Sequence, residues 1–144
     1  MFLKDYYPKL NKQFTKVKFK GISFNSSNVK KDYIFFAIKG NNLDGNKFYK
    51  DAIKKGCKII ISEIVEEGFK NNILYLKNKN PRKLLSEFAA KINYKRPKNM
   101  VAVTGTNGKS SIANFYYQIL KLNKKKVATI GTLGISGINY KKNI

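Results

Sequence analysis

The stretch VAVTGTNGKSS, residues 101–111, decides how this chain is read, because an apolar run hands over there, through two glycines, to a helical pattern. A loop that wraps an anion with consecutive backbone N–H groups at a helix N-terminus needs glycines for positive φ and close approach. Gly105 and Gly108 meet that need. Lys109 is then placed to reach a nucleotide's terminal phosphates as a mobile point charge, and the Ser110 hydroxyl to ligate Mg²⁺. The predicted nucleotide-binding set is Gly105, Thr106, Asn107, Gly108, Lys109, Ser110 and Ser111, with Lys109 as the catalytic residue and Ser110 as the metal ligand. The loop is shorter than the G-x-x-x-x-G-K-[ST] pattern, since Val103 holds the place of the first glycine. A glycine-bearing connection whose lysine is merely solvated is the bland alternative, and the full string between a strand and a helix weighs against it.

Working outward, MVAV at 100–103 reads as a short buried strand, 111–122 as a helix with Ile112, Phe115, Ile119 and Leu122 on one face, and VATI at 127–130 as the next strand. Together they make a βαβ unit. The segment 131–144 runs out in Gly, Ser, Asn and Lys with no further element expected, so the chain reads as truncated. On the N-terminal side, the polar segment 95–99 marks a boundary, giving domains at 1–97 and 98–144. Before it, 18–23, 33–38, 58–62 and 73–76 read as strands, the last after a Gly- and Asn-bearing loop. Residues 47–55 read as a short helix with Gly56 as C-cap, and Pro81 opens an amphipathic helix over 81–93. Strands alternating with helices predict an α/β fold with a largely parallel sheet: a small N-terminal α/β domain, then the first βαβ unit of a P-loop ATPase domain.

Composition narrows the function classes. The 144 residues carry 30 Lys+Arg against 8 Asp+Glu, a formal charge of +22. A polyanion-binding protein clusters its basic groups and uses arginine. Here only Arg82 and Arg96 are arginine, the lysines are scattered, and Asn and Ile are abundant, so AT-rich codon bias explains the excess as well. No specific nucleic-acid partner is expected. No apolar run approaches the roughly 20 residues that span a bilayer, and MFLKDYYPKL does not read as a signal peptide, so a cytoplasmic protein is expected. Cys57 is alone and there is no histidine, which leaves neither a disulfide nor a zinc cluster, and Cys57 reads as a small buried hydrophobe. Phe35, Phe36, Tyr116 and Tyr117 read as packed aromatics.

The loop T-G-T-N-G-K-S-S resembles that of the Mur ligase superfamily, ATP-dependent amide-forming enzymes that build the peptidoglycan peptide. Residues 24–62, FNSSNVKKDYIFFAIKGNNLDGNKFYKDAIKKGCKIIIS, resemble the N-terminal uridine-diphosphate-binding domain of the members that add the third residue or the terminal dipeptide. The string IGTLG at 130–134 is closer to the members that add meso-diaminopimelate or L-lysine to UDP-N-acetylmuramoyl-L-alanyl-D-glutamate. The resemblance implies that Phe24, Ser26, Asn41, Asn42 and Leu43 hold the uridine end of the substrate. Asn25, Ser27 and Asn46 stand where that family has Asp, Arg and commonly His.

What the resemblance implies is an ATP- and Mg²⁺-dependent ligase, a monomer, whose substrates are the UDP-muramoyl dipeptide and a free amino acid. ATP phosphorylates the D-glutamate carboxylate and the amine then attacks the acyl phosphate. With no histidine and few acids, no general base is found, so these residues alone are expected to be inactive as a ligase. The alternatives are a dipeptide-adding Mur ligase, a non-catalytic UDP-sugar-binding module and a P-loop NTPase acting on nucleic acid.

Overall fold

The computed structural model describes residues 1–137 and 140–142, which divide into two compact units, Met1–Arg96 and Pro97–Ile144. The first unit is built on a five-stranded sheet. Strands β1 (Gly21–Ser23), β2 (Tyr33–Phe36), β3 (Ile59–Ser62) and β5 (Ile73–Lys77) are parallel, and β4 (Gly68–Lys70) runs antiparallel at one edge, in the order β1-β2-β3-β5-β4. Helix α1 (Tyr49–Lys54) leads into β3, and α2 (Pro81–Ile92) follows β5.

The continuous apolar runs follow from burial on both faces of a parallel sheet. In β2, Ile34 and Phe36 point to a core completed by Ile59, Ile61, Leu74, Leu76 and, from α2, Leu84 and Phe88. Phe35 and Ile60 point the other way, to Val29, Ala37, Cys57 and the Ala52 of α1. The Cys57 thiol donates to the carbonyls of Ile59 and Tyr33, and burial pushes its pKa up to about 11. It is therefore a thiol rather than a thiolate at neutral pH, as the reading of a small hydrophobe requires.

Local chemistry fixes the element ends. Asn80 accepts from the Lys83 N–H at 2.9 Å and Pro81 follows it, so α2 begins where the sequence places it. At the end of α1, the Gly56 and Cys57 N–H groups return to Ile53 and Ala52, a Schellman closure. Two features were not read from sequence. Residues 71–72 form a tight turn, with Asn71 at φ 50° and Asn72 at φ 63°, and fold β4 onto β5 where a loop was expected. The first nineteen residues make two 3₁₀ turns and one isolated antiparallel β-bridge, Phe2 with Lys18, yet Leu3, Tyr7, Phe14 and Phe19 are buried in the core shared with α2.

Asp32 sits just before β2 at φ 65° and bridges Lys20 at 2.9 Å and Lys58 at 3.1 Å, the residues that precede β1 and β3. Its hydrogen bonds to Lys20 and then Lys58 hold the carboxyl below its ordinary value of 3.8. A folded pKa below the unfolded one gives stability that is full above the unfolded value and is lost as pH falls through the folded one. Asn tolerates the same left-handed backbone, so Asp32→Asn isolates the charge. Its thermal midpoint should lie below that of the wild type at pH 7, and the gap should close as the pH falls through the lowered folded pKa of Asp32; equal midpoints throughout would show the bridges contribute nothing.

The second unit departs from the expected βαβ. Helix α3 (Lys109–Leu122) forms, beginning two residues earlier than read, and is followed by β6 (Thr129–Gly131), β7 (Gly134–Gly137) and β8 (Tyr140–Lys142) in an antiparallel meander. So 131–144 does carry further elements, with Ile138, Asn139, Asn143 and Ile144 outside the described residues. Residues 100–103 pair with no strand among the described residues, and Met100 and Val101 are exposed: an apolar run becomes a strand only where a ladder partner is present. Likewise α3 buries none of its residues. Ile112, Phe115, Ile119 and Leu122 lie exposed on its apolar face, and Tyr116 is exposed too, so the expectation of a packed Tyr116–Tyr117 pair does not hold for Tyr116.

Candidate functional site

The predicted phosphate loop is formed within the second unit. Gly105 at φ 147° and Gly108 at φ 74° occupy conformations that L side chains rarely adopt, and Gly108 is the N-cap of α3. No side chain caps that helix, and its first turn carries no acidic residue, so its terminal N–H groups and the positive end of its dipole are available to an anion. Lys109 folds back over the loop, donating to the carbonyls of Gly105 and Thr106. Thr106 and Asn107 lie between the glycines, and Ser111 follows in the first turn, all three exposed.

Ser110 is half-buried, and its Oγ lies 2.7 Å from Oγ1 of Thr132, in the two-residue turn between β6 and β7. Beside this pair is a cavity of about 50 Å³ lined by Ala113, Asn114, Thr129 and Leu133 among others. It holds a few water-sized groups and not a nucleotide. Thr132 stands 22 positions from Ser110, too far along the chain for a local motif to bring it in. Among the described residues there is no cluster of three or more His, Cys, Asp or Glu side chains. A magnesium ion here would therefore take Ser110 with phosphate oxygens and water, which is the way this cation ordinarily binds beside a phosphate.

The residues read as holding uridine lie in the first unit. Phe24 and Ser26 follow β1, and Asn41, Asn42 and Leu43 follow β2. Since these strands are parallel neighbours, with Ser23 opposite Phe35, the two loops leave the same carboxyl edge of the sheet, where open α/β sheets bind ligands. Phe24 and Leu43 are exposed at 66% and 69%. Asn25 accepts from the Ser27 N–H at 2.8 Å and caps the 3₁₀ turn Ser26–Asn28.

The second loop is closed at its stem. Lys39 and Asp44 pair through their backbones in an isolated antiparallel β-bridge, and the Gly40 N–H donates to the Leu43 carbonyl at 2.8 Å. Asp44 accepts from both the backbone and side-chain N–H groups of Asn46, which hold its carboxyl below the ordinary value. Asn46 in turn accepts from Ser62, a buried residue at the end of β3, at 2.5 Å. Gly45 is required by space, since a Cβ there would lie 2.6 Å from the Ile38 nitrogen. The Asp-Gly pair and the following Asn46 thus fix the loop to β2 and β3. The Asn46 side chain both donates, to Asp44, and accepts, from Ser62.

Two family patterns match separate stretches of the chain. The pattern described as "Mur ligase family, catalytic domain" matches residues 18–93, and "Mur ligase middle domain" matches residues 103–144. The UDP-N-acetylmuramoyl-L-alanyl-D-glutamate–2,6-diaminopimelate ligase of Rickettsia prowazekii (strain Madrid E) is 45% identical over 127 residues, covering 88% of this chain and 26% of the relative. That of Clostridium tetani (strain Massachusetts / E88) is 39% identical over 132 residues, covering 86% and 26%. The chain spans about a quarter of the length of these curated relatives. A solved ligase of the same name shares the fold, with a TM-score of 0.70 at 23% identity, covering 98% of this chain and 29% of that one. The MurF ligase of Thermotoga maritima in complex with ADP follows at a TM-score of 0.57 and 27% identity, covering 74% and 24%. No described helix is long and apolar enough to cross a membrane. With one pattern covering the sheet unit and a second covering the phosphate-loop unit, the chain belongs to the Mur ligase family.

Proposed function

We propose that these residues supply the UDP-substrate-binding unit and the ATP phosphate loop of a cytoplasmic ligase that adds 2,6-diaminopimelate to UDP-N-acetylmuramoyl-L-alanyl-D-glutamate. The observation that carries the reading is the 45% identity over 127 residues to relatives bearing that name, supported by a loop with two positive-φ glycines ahead of a helix that begins at Lys109. That identity also favours the diaminopimelate-adding type over the dipeptide-adding type. In this reading residues 1–97 bind the uridine end through Phe24, Ser26, Asn41, Asn42 and Leu43, and residues 98–144 begin the ATP-binding domain. The Thr106 to Ser110 amides and Lys109 orient and neutralise the phosphates of ATP, Ser110 ligates Mg²⁺, and transfer to the D-glutamate carboxylate follows mainly from positioning and charge.

Titration calorimetry with each ligand alone tests both halves. The chain is expected to bind the UDP-muramoyl dipeptide and Mg·ATP independently. Binding of the UDP compound without ATP would reduce it to a UDP-sugar module. Retention on DNA with a steep salt dependence and sequence preference, and no UDP binding, would favour an NTPase acting on nucleic acid.

A further inference from the structure

We propose that Thr132 is a positioning residue for the cation site: it accepts the Ser110 hydroxyl hydrogen and so turns the Ser110 oxygen lone pairs toward Mg²⁺. The inference rests on the phosphate-loop reading above and adds to it a residue from the β6–β7 turn.

The chemistry of a hydroxyl ligand demands such a partner. A serine oxygen that ligates a cation through a lone pair has one hydrogen left, which must point away from the metal, and the cation makes that hydrogen a stronger donor. Left without an acceptor, the hydrogen is either unsatisfied or free to rotate toward the cation. Thr132 Oγ1 stands 2.7 Å from Ser110 Oγ, within the usual range for O–H···O. Both ends are anchored independently. Ser110 is the second residue of α3, whose first closing hydrogen bond runs from the Ile112 N–H to Gly108 at 2.9 Å. Thr132 is held by the hairpin that pairs Gly131 with Gly134. The contact therefore links the helix that carries the loop to the strand turn beyond it. The adjoining cavity gives space for the water that such a cation keeps.

The opposite polarity makes the opposite prediction. Were Thr132 the donor, it would occupy a Ser110 lone pair and compete with the metal, and removing its hydroxyl would strengthen cation binding. Partners that orient a ligand from behind typically change metal affinity by about 10- to 100-fold, which sets the expected size.

The experiment is a titration of residues 1–144 with ATP, across a Mg²⁺ series and in EDTA, for wild type, Thr132→Val and Thr132→Ser. Under the proposal Thr132→Val weakens the apparent Mg²⁺ affinity by about 10-fold or more while its ATP affinity in EDTA matches wild type, and Thr132→Ser retains the wild-type Mg²⁺ dependence. Three results would overturn it: a Thr132→Val variant with unchanged or tighter Mg²⁺ dependence, equal losses in Thr132→Ser and Thr132→Val, or a parallel fall in EDTA that marks a role in loop shape. Failure of the wild type to bind ATP at all would instead remove the phosphate-loop reading, and this inference with it.

Discussion

Replacing Lys109 with alanine is expected to weaken ATP binding by about 10- to 100-fold while leaving the thermal midpoint almost unchanged. A charge-assisted hydrogen bond contributes about 1.5–3 kcal/mol, and about 1.4 kcal/mol is a factor of ten. The side chain is exposed, and its present partners are loop carbonyls that water can satisfy as well. Surface changes of that kind usually stay within about 0.5 kcal/mol. Lys109→Arg is not expected to restore affinity, since a wide planar fork replaces a compact charge that fits over two loop carbonyls. Calorimetry with ATP and a melting curve for each variant separate binding from folding. Wild-type affinity in the alanine variant would show that the lysine only solvates the loop. In a ligase containing these residues, turnover should be lost with the fold intact.

The largest effect on stability is expected from Phe88→Ala. Phe88 is buried on α2 at the centre of an aromatic group, with ring centroids 5.4 Å from Tyr6, 5.8 Å from Phe19 and 5.5 Å from Phe36. It joins the N-terminal segment, the sheet and the helix in one contact. Emptying such a site costs about 3–5 kcal/mol, a large share of the 5–15 kcal/mol that typically holds a domain together. At about 4–8 °C per kcal/mol for a unit of this size, the midpoint should fall by roughly 12 °C or more. Phe24→Ala, at an exposed ring, serves as the control and should shift it little. A fall of only a few degrees for Phe88→Ala would mean that the N-terminal segment does not depend on the helix.

The parts of the fold that were legible share one cause. The run at 33–38 and the three isoleucines of β3 are apolar on both faces because both faces are covered, and α2 keeps its apolar side chains on one side. The illegible parts lack that regularity. Residues 1–19 bury four large side chains without periodic structure, so no pattern announces them. Strand β4 is three residues long at an edge and depends on the conformation of Asn71 and Asn72. The meander after α3 carries Gly131, Gly134 and Gly137, and its pairing is a matter of turns rather than of apolar alternation.

The site divides in the same way. Gly105, Gly108, Lys109 and Ser110 are consecutive enough for a local rule to find them. Thr132 approaches through the fold and carries no signature beyond its hydroxyl. For Gly45 the reason is only visible in three dimensions, where the Ile38 backbone excludes a side chain.

The stem of the loop at residues 39–44 has a thermodynamic consequence for whatever binds there. Its bridge, the Asp44–Asn46 hydrogen bonds and the tie to Ser62 order the backbone on either side before any ligand arrives. In the proposed reading, capture of the uridine end has to immobilise little more than Asn41, Asn42 and the Leu43 side chain, so the entropy lost on association is confined to the tip. Loosening the stem, as Ser62→Ala would, transfers that ordering cost to the binding step and lowers affinity without removing a single atom that meets the ligand.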